Sequence, residues 1–365
     1  MATEPGQANP PSRRRVVVVG ATGNVGTSVV RALVDEPEVE SVVGIARRVP
    51  ASWPASPKVT WRAADIATDA LAPLFDGADA VVHLAWLIQP SRDEAATYAV
   101  NVTGSGRVFA AAAEAGARAL VYASSVGAYS PGPKDRAMDE TWPTGGVETS
   151  FYARHKAQVE RDLDRVEREH PDLRVVRLRP GLTFKREAAS EIRRYFAGPL
   201  LPSPLVRREL IPVIPDLPGL RFQAVHSDDV GEAYRRAVVH DVAGAFNVAA
   251  DPVLDPAVLG DILGARPIRV PPKVVRGLAD ATWKLRLQPT PPGWLDMALS
   301  VPIMDTTRAR DELGWAPRYS STEALDELLD GLRLSDGGPT PPLDASAGGP
   351  LRVHELATGV GARSP

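Results

Sequence analysis

Short apolar runs alternate with helix-length segments through the first half of this 365-residue chain. A long Ala-rich helix is predicted from Asp93 to Ala115. Strands that follow one another through helical crossovers lie parallel, so the pattern predicts an α/β protein with a Rossmann-like, doubly wound parallel sheet. The predicted strands are RRVVVVG (14–20), VESVVGIA (39–46), KVTWRAAD (58–65), DAVVHLAW (79–86), RALVYASS (118–125) and LRVVRLRP (173–180).

The alternation ends near Pro180, where charged residues begin to mix with proline-rich clusters. We expect a smaller mixed α/β region there, which binds substrate beyond the carboxyl ends of the strands. The later run GAFNVAAD (244–251) is strand-like and is expected to return to the sheet. The predicted divisions are a disordered arm (1–12), a dinucleotide-binding Rossmann domain (13–180, with 223–250 returning to it), a substrate-binding region (181–334) and a disordered tail (335–365).

The composition argues against several classes of function. A net charge of −3 gives no reason to expect a nucleic-acid partner, and no apolar run reaches the roughly 18 residues that a membrane span needs. The chain contains no cysteine, which rules out disulfides, thiolate metal sites and cysteine nucleophiles and fits a cytoplasmic location. No pair of histidines has metal-ligand spacing, so no metal site is predicted.

The glycine-rich segment GATGNVG (20–26) follows the first predicted strand and opens the first predicted helix. A diphosphate binds against the N–H groups at a helix amino terminus, and side chains at that point would block its approach. An isolated glycine pattern also fits a tight strand-to-helix turn, but the strand before it and the helix after it favour dinucleotide binding. The residues expected at the diphosphate are Gly20, Thr22, Gly23, Asn24, Val25 and Gly26.

The end of the second predicted strand indicates which dinucleotide binds. An acidic residue there would bind the ribose 2′-hydroxyl of NAD, whereas arginine accommodates the 2′-phosphate of NADP. Ala46 occupies that position and Arg47 and Arg48 follow it, and a guanidinium suits a phosphate. The sequence therefore predicts NADP, with NAD as the alternative cofactor. Alternatively, Arg47 and Arg48 are two solvated loop arginines that bind no phosphate.

A tyrosine and a lysine lie four residues apart in YARHK (152–156). On a helix, Tyr152 and Lys156 share a face, so the ammonium lies near the phenol and favours its ionised form. Such a tyrosine can exchange a proton with a substrate hydroxyl or carbonyl while a nicotinamide exchanges hydride. Ser124 and Ser125 end the fifth predicted strand, where a hydroxyl can bind the substrate oxygen. The three residue types together favour catalysis over a chance spacing on a surface helix.

Many short motifs in the same order give the chain a resemblance to a known family. It resembles the extended short-chain dehydrogenase/reductases, also called the NAD-dependent epimerase/dehydratases, over about residues 14–330. The motifs are GATGNVG (20–26), AADI (63–66), VVHLAW (81–86), NVTGSGRVFAAA (101–112), ASSVGAY (123–129), DETWP (139–143), YARHK (152–156), RLRPG (177–181), VHSDDV (225–230) and DTTRARDELGWAP (305–317).

The resemblance implies roles for individual residues. Tyr152 would be the catalytic acid/base, and Lys156 would hold the nicotinamide ribose and lower the pKa of Tyr152. Ser125 would contact the substrate, with Ser124 as the alternative. Ser105 stands where the family's N-V-x-G-T pattern has threonine. Further cofactor contacts would come from Asp65 and Ile66 at the adenine, from Leu84 and Ala85 after the fourth strand, and from Asn101 and Pro180.

Three functions fit these residues. The first is NAD(P)-dependent hydride transfer at a secondary alcohol or ketone carbon by an oxidoreductase or epimerase of the extended type, with a nucleotide sugar as a candidate substrate. The second is an NADPH-dependent ketone or aldehyde reductase that releases its cofactor, which Arg47 and Arg48 favour. The third is a non-catalytic dinucleotide-binding sensor or scaffold, which the retained serine, tyrosine and lysine disfavour.

The small-molecule substrate and the oligomer are less well defined by the sequence. No nucleotide-sugar clamp is recognised in residues 181–222, although several arginines there could bind phosphate. Val126 and Gly127 follow Ser125, where a dehydratase would carry an acidic residue. The resemblance also implies a homodimer formed through the helices after the fourth and fifth strands. The arginines in residues 181–222 that could bind phosphate are Arg186, Arg193, Arg194, Arg207 and Arg208.

Overall fold

The computed structural model describes residues 13–196 and 211–346, and a parallel seven-stranded sheet organises them. The strands are β1 (Arg14–Val19), β2 (Val39–Ala46), β3 (Val59–Ala63), β4 (Ala80–His83), β5 (Ala119–Ala123), β6 (Ala137–Met138), β7 (Arg174–Pro180), β8 (Leu182–Phe184), β9 (Val213–Asp216), β10 (Ala224–His226), β11 (Gly244–Val248), β12 (Arg266–Arg269) and β13 (Ile303–Met304). The main sheet has the order β3-β2-β1-β4-β5-β7-β11, and every neighbouring pair is parallel. This confirms the predicted Rossmann-like, doubly wound α/β fold.

Helices cover both faces of the main sheet. They are α1 (Asn24–Asp35), α2 (Ala72–Phe75), α3 (Glu94–Tyr98), α4 (Ser105–Glu114), α5 (Phe151–Glu169), α6 (Ala189–Phe196), α7 (Ser227–Val239), α8 (Pro256–Leu263), α9 (Pro272–Lys284), α10 (Gly293–Ser300), α11 (Thr307–Asp311) and α12 (Ser321–Leu334). α1 and α7 pack together on one face, and α2, α4 and α5 lie on the other. A π-helix, Ala99–Gly104, separates α3 from α4, so the helix predicted from Asp93 to Ala115 is interrupted in its middle.

The central strands are buried on both faces because they carry uninterrupted apolar residues. Residues 16–19 of β1 are at most 1% exposed. Val29 and Leu33 of α1 belong to the core on one face, and Phe109 of α4 and Leu163 of α5 belong to the core on the other. Apolar burial contributes roughly 25 cal/mol for each Å² removed from water, so this double layer fixes the strand ends on which the site is built.

The remaining elements form short two-stranded pairs and a second small core. β8 pairs with β10, β9 with β12 and β6 with β13. Leu254, Leu325 and Leu328 are buried in a cluster that joins α6, α8 and α12. β11 hydrogen-bonds to β7, so the chain re-enters the main sheet after α7. Residues 197–210 of the predicted substrate-binding region lie outside the described residues.

The segment after α12 differs from the predicted tail. The sequence predicts disorder from residue 335, but Thr340 and Leu343 are only 1% exposed. The Thr340 hydroxyl donates a hydrogen bond of 2.7 Å to the Thr22 carbonyl oxygen in the glycine-rich loop. Burial of these side chains offsets the entropy cost of ordering a segment rich in Pro and Gly. The predicted arm and residues 347–365 of the predicted tail lie outside the described residues.

Candidate active site

The glycine-rich loop joins β1 to α1 and packs closely against the loop after β4. Gly20 has a φ of +87°, and a Cβ there would lie 2.6 Å from the Ala85 nitrogen. A Cβ at Gly26 would lie 2.2 Å from the Gly20 oxygen, whereas one at Gly23 would meet that oxygen at 3.8 Å. Gly23 is the N-cap of α1 and, lacking a side chain, leaves the first N–H groups of the helix for another acceptor. These N–H groups and the open approach at Gly23 fit a diphosphate.

A cavity of about 140 Å³ lies beside this loop, at the carboxyl ends of the parallel strands. It brings together most of the residues predicted to bind the cofactor. Ala46 ends β2, and the exposed Arg47 and Arg48 that follow it both line the cavity. We call the lining residues that follow β1 to β4 the strand-side wall; they include Gly20, Thr22, Gly23, Ala46, Arg47, Arg48, Asp65, Ile66, Leu84, Ala85 and Trp86.

Other predicted cofactor residues do not line the cavity. The Asn24 side chain donates a hydrogen bond of 3.0 Å to the Thr183 carbonyl oxygen, which ties α1 to β8. Val25 packs against the hydrophobic core. Pro180 ends β7 and pairs with Val248 of β11. These residues hold the glycine-rich loop and the neighbouring strand in position, and their side chains do not line the cavity.

Asn101 fixes the loop that follows β4. It lies fully buried in the π-helix, where its side-chain oxygen accepts a hydrogen bond of 2.7 Å from the Leu87 N–H. Its side-chain nitrogen donates a bond of 2.8 Å to the Leu87 carbonyl oxygen. The Ser105 hydroxyl donates to the Asn101 carbonyl oxygen at 2.6 Å, so this serine makes a hydrogen bond that threonine could also make. The paired bonds hold Trp86 beside the cavity, and π-helical turns often occur at functional sites.

The two serines after β5 have different partners. The Ser124 hydroxyl donates to the buried carboxylate of Glu160 at 2.5 Å. The Ser125 oxygen accepts a bond of 3.0 Å from the Gly127 N–H, and the Ser125 hydroxyl acts on the phenol of Tyr152 and lowers its pKa. Ser125 is therefore the serine beside the tyrosine, whereas Ser124 joins β5 to α5.

Glu160 lies one helical turn after Lys156 and forms buried ion pairs with β7. Its carboxylate accepts hydrogen bonds of 2.9 and 3.0 Å from Arg179 and one of 3.3 Å from Arg177. Burial raises the pKa of Glu160, but the guanidinium of Arg179 brings it below its usual value. Breaking such a pair leaves an uncompensated buried charge, so these bonds fix α5, and with it Tyr152, on the sheet. Sequence reasoning missed this network, although two arginines within the otherwise apolar strand β7 could have indicated it.

The Tyr152 ring lies between two tryptophans from distant parts of the chain. Its centroid is 5.7 Å from that of Trp86 and 4.8 Å from that of Trp294 in α10. A Cβ at Gly127 would lie 2.9 Å from the Tyr152 ring and 3.0 Å from the Met297 sulfur, so the space beside the phenol is filled by apolar groups. Sequence reasoning missed Trp294 and Met297 because no motif links α10 to α5.

Lys156 is buried, and its ammonium faces the end of β5 and the loop after β4. The Nζ atom donates a hydrogen bond of 2.5 Å to the Ala123 carbonyl oxygen. It also lies 3.5 Å from the centroid of the Trp86 indole, which is a cation–π contact. Burial lowers the pKa of Lys156, while Glu160 raises it. The predicted lysine is thus inside the site, with the Trp86 ring against its charge.

The ionisation of Tyr152 differs from the sequence-based expectation. Burial raises the pKa of Tyr152 to about 12, and the hydrogen bond from Ser125 only partly opposes this rise. The Lys156 Nζ lies 5.8 Å from the centroid of the Tyr152 ring and makes its hydrogen bond with β5. The expected lowering of the tyrosine pKa by Lys156 is therefore absent in this arrangement, and the phenol is protonated at neutral pH.

The histidines near these residues serve packing. Burial lowers the pKa of His83 to about 3, and its Nε2 lies 2.9 Å from the Ser105 hydroxyl oxygen. Burial also lowers the pKa of His155 to about 4. His226 is the N-cap of α7, where its ring accepts a bond from the Asp228 N–H. Within residues 13–196 and 211–346, no group of three or more His, Asp or Glu residues could hold a metal ion.

The cavity has further lining residues from α6 and the segment after α12. They are Glu191, Tyr195 and Pro342, none of which the sequence patterns indicated. Two of the arginines considered as phosphate ligands have partners within the chain. Arg186 forms an ion pair with Asp336, and Arg194 donates a hydrogen bond of 3.4 Å to the Pro342 carbonyl oxygen. Outside the described residues lie Arg207 and Arg208.

The family of the chain follows from comparison with known proteins. A sequence profile of the NAD dependent epimerase/dehydratase family matches residues 16–249. The chain belongs to this family. A nicotinamide dinucleotide is the cofactor that the family name implies, and the glycine-rich loop of α1 fits one.

Mycobacterial proteins are among the relatives by sequence, including several from Mycobacterium tuberculosis. An uncharacterized protein of this organism is 28% identical over 322 residues, which is 87% of this chain and 30% of that protein. The chain therefore spans less than a third of the length of the curated relatives that it matches over 87% of its own length. A 3 beta-hydroxysteroid dehydrogenase/Delta 5-->4-isomerase of the same organism is 31% identical over 155 residues, which is 40% of this chain and 41% of that enzyme.

A solved structure agrees with the fold. The UDP-glucose 4-epimerase of Thermus thermophilus in complex with NAD superposes with a TM-score of 0.64 at 20% identity, covering 87% of this chain and 99% of the epimerase. Identity this low supports the shared architecture alone. In the described part of the chain, no helix has both the length and the apolar character that crossing a bilayer requires.

Proposed function

We propose that this family member transfers hydride at a secondary alcohol or ketone carbon, with Tyr152 exchanging the proton of the substrate oxygen. The observation that carries the proposal is the meeting of Ser125, Tyr152 and Lys156 at the end of β5, next to the Trp86 indole that lines the glycine-loop cavity. A bound nicotinamide dinucleotide supplies or accepts the hydride. The Ser125 hydroxyl, which acts on the phenol of Tyr152, can bind the same substrate oxygen.

The protonated state of Tyr152 is the one that the reductive direction uses. Because burial raises its pKa to about 12, the phenol carries its proton at neutral pH. That proton passes to the carbonyl oxygen as the carbonyl carbon gains hydride, and the product is an alcohol. The Ser125 hydroxyl, which lowers the pKa of Tyr152, stabilises the phenolate that remains. The reverse sequence of transfers oxidises an alcohol.

We further propose that NADP is the preferred dinucleotide. Ala46 leaves the end of β2 without the acid that would bind a ribose 2′-hydroxyl. Arg47 and Arg48 are exposed and line the cavity, where a guanidinium can bind a 2′-phosphate by two hydrogen bonds.

The surroundings of Tyr152 favour an apolar ketone as the substrate class. Trp86, Trp294 and Met297 place aromatic rings and a thioether around the phenol, and sites of this composition bind apolar molecules oriented by a few polar groups. Arg186 and Arg194 have partners within the chain, which counts against their serving as a diphosphate clamp. A ketone reductase is therefore favoured over an enzyme for nucleotide sugars.

Epimerisation of a nucleotide sugar is the second candidate. It is favoured by the likeness to a UDP-glucose 4-epimerase over 99% of that enzyme's length. The same serine, tyrosine and lysine would serve it, because epimerisation also begins with proton and hydride removal from a secondary alcohol. The two candidates differ in whether the substrate carries a charged diphosphate.

The test compares Tyr152→Phe with Tyr98→Phe, an exposed tyrosine that serves as the matched control. NADPH oxidation is followed with the bicyclic ketones 2-tetralone and 2-decalone, and conversion of UDP-galactose to UDP-glucose is followed with NAD. We expect ketone reduction by the wild type, a loss of about 10²- to 10⁴-fold in Tyr152→Phe and retained NADPH binding. Sugar conversion without ketone reduction would assign the second candidate. Wild-type turnover by Tyr152→Phe would refute both.

A further inference from the structure

A lid made of this chain's own residues covers the cavity at the glycine-rich loop. We define the lid as α6 together with residues 336–346. Its members Glu191, Tyr195 and Pro342 line the cavity along with the strand-side wall. The cavity volume of about 140 Å³ is well below the roughly 300–1,000 Å³ of small-molecule sites. The lid side chains therefore take up space at the glycine-rich loop that a bound dinucleotide would need.

Glu191 places a carboxylate at the amino terminus of α1. The N–H of Asn24, the first residue of that helix, and the Tyr195 hydroxyl both act on this carboxylate and lower its pKa. Its side chain is buried, and the cations that act on it are Arg194 and Lys185. An N–H group suited to a diphosphate therefore faces an internal anion, and both would compete for the same positive end of the helix.

Residues 336–346 are tied both to α6 and to the glycine-rich loop. The Thr340 hydroxyl bonds to the Thr22 carbonyl oxygen at 2.7 Å, and Thr22 itself lines the cavity. The Ser190 hydroxyl of α6 donates to the Asp336 carbonyl oxygen at 2.8 Å, and Arg186 forms an ion pair with the Asp336 carboxylate. The two parts of the lid are therefore connected, and one of them is anchored on the loop that the cofactor must reach.

We propose that the lid closes the cofactor site of the empty protein and that Glu191 holds the diphosphate position until the dinucleotide displaces it. This inference rests on binding of the family's cofactor at the glycine-rich loop, and it goes beyond the proposed reaction. Only the open form binds the dinucleotide, so the apparent affinity is reduced by the fraction of open protein. The rate of binding reaches a ceiling set by opening of the lid.

The experiment measures NADPH binding to the full chain by stopped-flow fluorescence. In the wild type, the observed rate should level off as the NADPH concentration rises. Glu191→Gln removes the charge and Thr340→Val removes the hydroxyl donor, both with little change of shape. Each should raise the ceiling about fivefold, because Thr340→Val loses one buried hydrogen bond of ordinary strength and Glu191→Gln replaces a charged acceptor with a weaker, neutral one. Glu114→Gln and Thr282→Val are the matched controls outside the lid and should leave the ceiling unchanged.

Several outcomes would overturn the lid. One is a wild-type rate that rises linearly with NADPH over the whole range; another is a ceiling that neither lid variant changes. Hydrogen exchange of wild-type residues 336–346 gives a measurement that does not depend on the variants. We expect their amide exchange to change when NADPH binds, and unchanged exchange would also overturn the proposal. A protein that binds no NADPH or NADH at all would instead contradict the proposed function.

Discussion

The two sides of the cofactor cavity are built in different ways. The strand-side wall consists of residues that directly follow β1 to β4, so the hydrogen bonds of the sheet set their positions. The lid reaches the same cavity through side chains such as Glu191 and Thr340, which are held by a few polar contacts rather than by a sheet. A wall of the first kind is rigid and suits recognition, whereas one of the second kind can open at a cost of a few bonds.

The largest expected effect separates the two roles of glycine in the glycine-rich loop, part of which belongs to the strand-side wall. Gly26→Ala puts a Cβ 2.2 Å from the Gly20 oxygen, so backbone must move, and we expect the free energy of unfolding to fall by about 3 kcal/mol. Gly23→Ala meets only that oxygen, at 3.8 Å, so stability should be retained. Because its methyl group faces the cavity, NADPH affinity should fall about tenfold, roughly 1.4 kcal/mol.

Chemical denaturation and NADPH titration of these two variants provide the check. Equal stability losses in Gly23→Ala and Gly26→Ala would show that both glycines serve only the turn. Retained NADPH affinity in a folded Gly23→Ala variant would show that the diphosphate does not bind at the start of α1.

The next effect tests whether the strand-side wall selects the dinucleotide. In the double variant Arg47→Ala, Arg48→Ala, NADPH affinity should fall by roughly tenfold or more, because a charge-assisted hydrogen bond contributes about 1.5–3 kcal/mol. NADH affinity should change little, since NADH lacks the 2′-phosphate. Arg62→Ala, an exposed arginine on β3, is the matched control. Equal losses for NADPH and NADH would contradict selection by these arginines.

The smallest effect concerns pH and the lid. Burial raises the pKa of Glu191 to about 7, while Arg194, the Tyr195 hydroxyl, Lys185 and the Asn24 N–H oppose the rise. Below this value the side chain is neutral and does not oppose a diphosphate; above it, the carboxylate competes for the helix terminus. NADH affinity should therefore fall between about pH 6 and 8, by less than tenfold per pH unit.

Fluorescence titration with NADH measures this slope without the titration of a 2′-phosphate. The variant Glu191→Gln should show a flatter profile, because its amide carries no charge at any pH in this range. Burial also lowers the pKa of Lys185 to about 8, so the variant separates the contribution of the carboxylate from that of the lysine. A slope that is the same in wild type and Glu191→Gln would remove Glu191 from the control of access.

Local patterns predicted the elements that carry most of the site. The β-branched run before GATGNVG became β1, and the strand predicted at 39–46 became β2 with the same bounds. The resemblance already favoured Ser125 over Ser124, and the structure adds the physical difference: the Ser124 hydroxyl bonds to Glu160, whereas Ser125 acts on the Tyr152 phenol. The raised pKa of Tyr152 was also out of reach, since it depends on burial by residues that no spacing relates to YARHK.

The sequence by itself determined the parallel sheet, the glycine-rich loop at the first helix and the shared face of Tyr152 and Lys156. These features arise from strand and helix periodicity and from short-range motifs, which operate within a few residues of the chain. Only the tertiary structure placed Trp294 on Tyr152 and Glu191 and Thr340 on the glycine-rich loop. Such contacts join segments far apart in the chain, and packing and hydrogen bonding in three dimensions decide them.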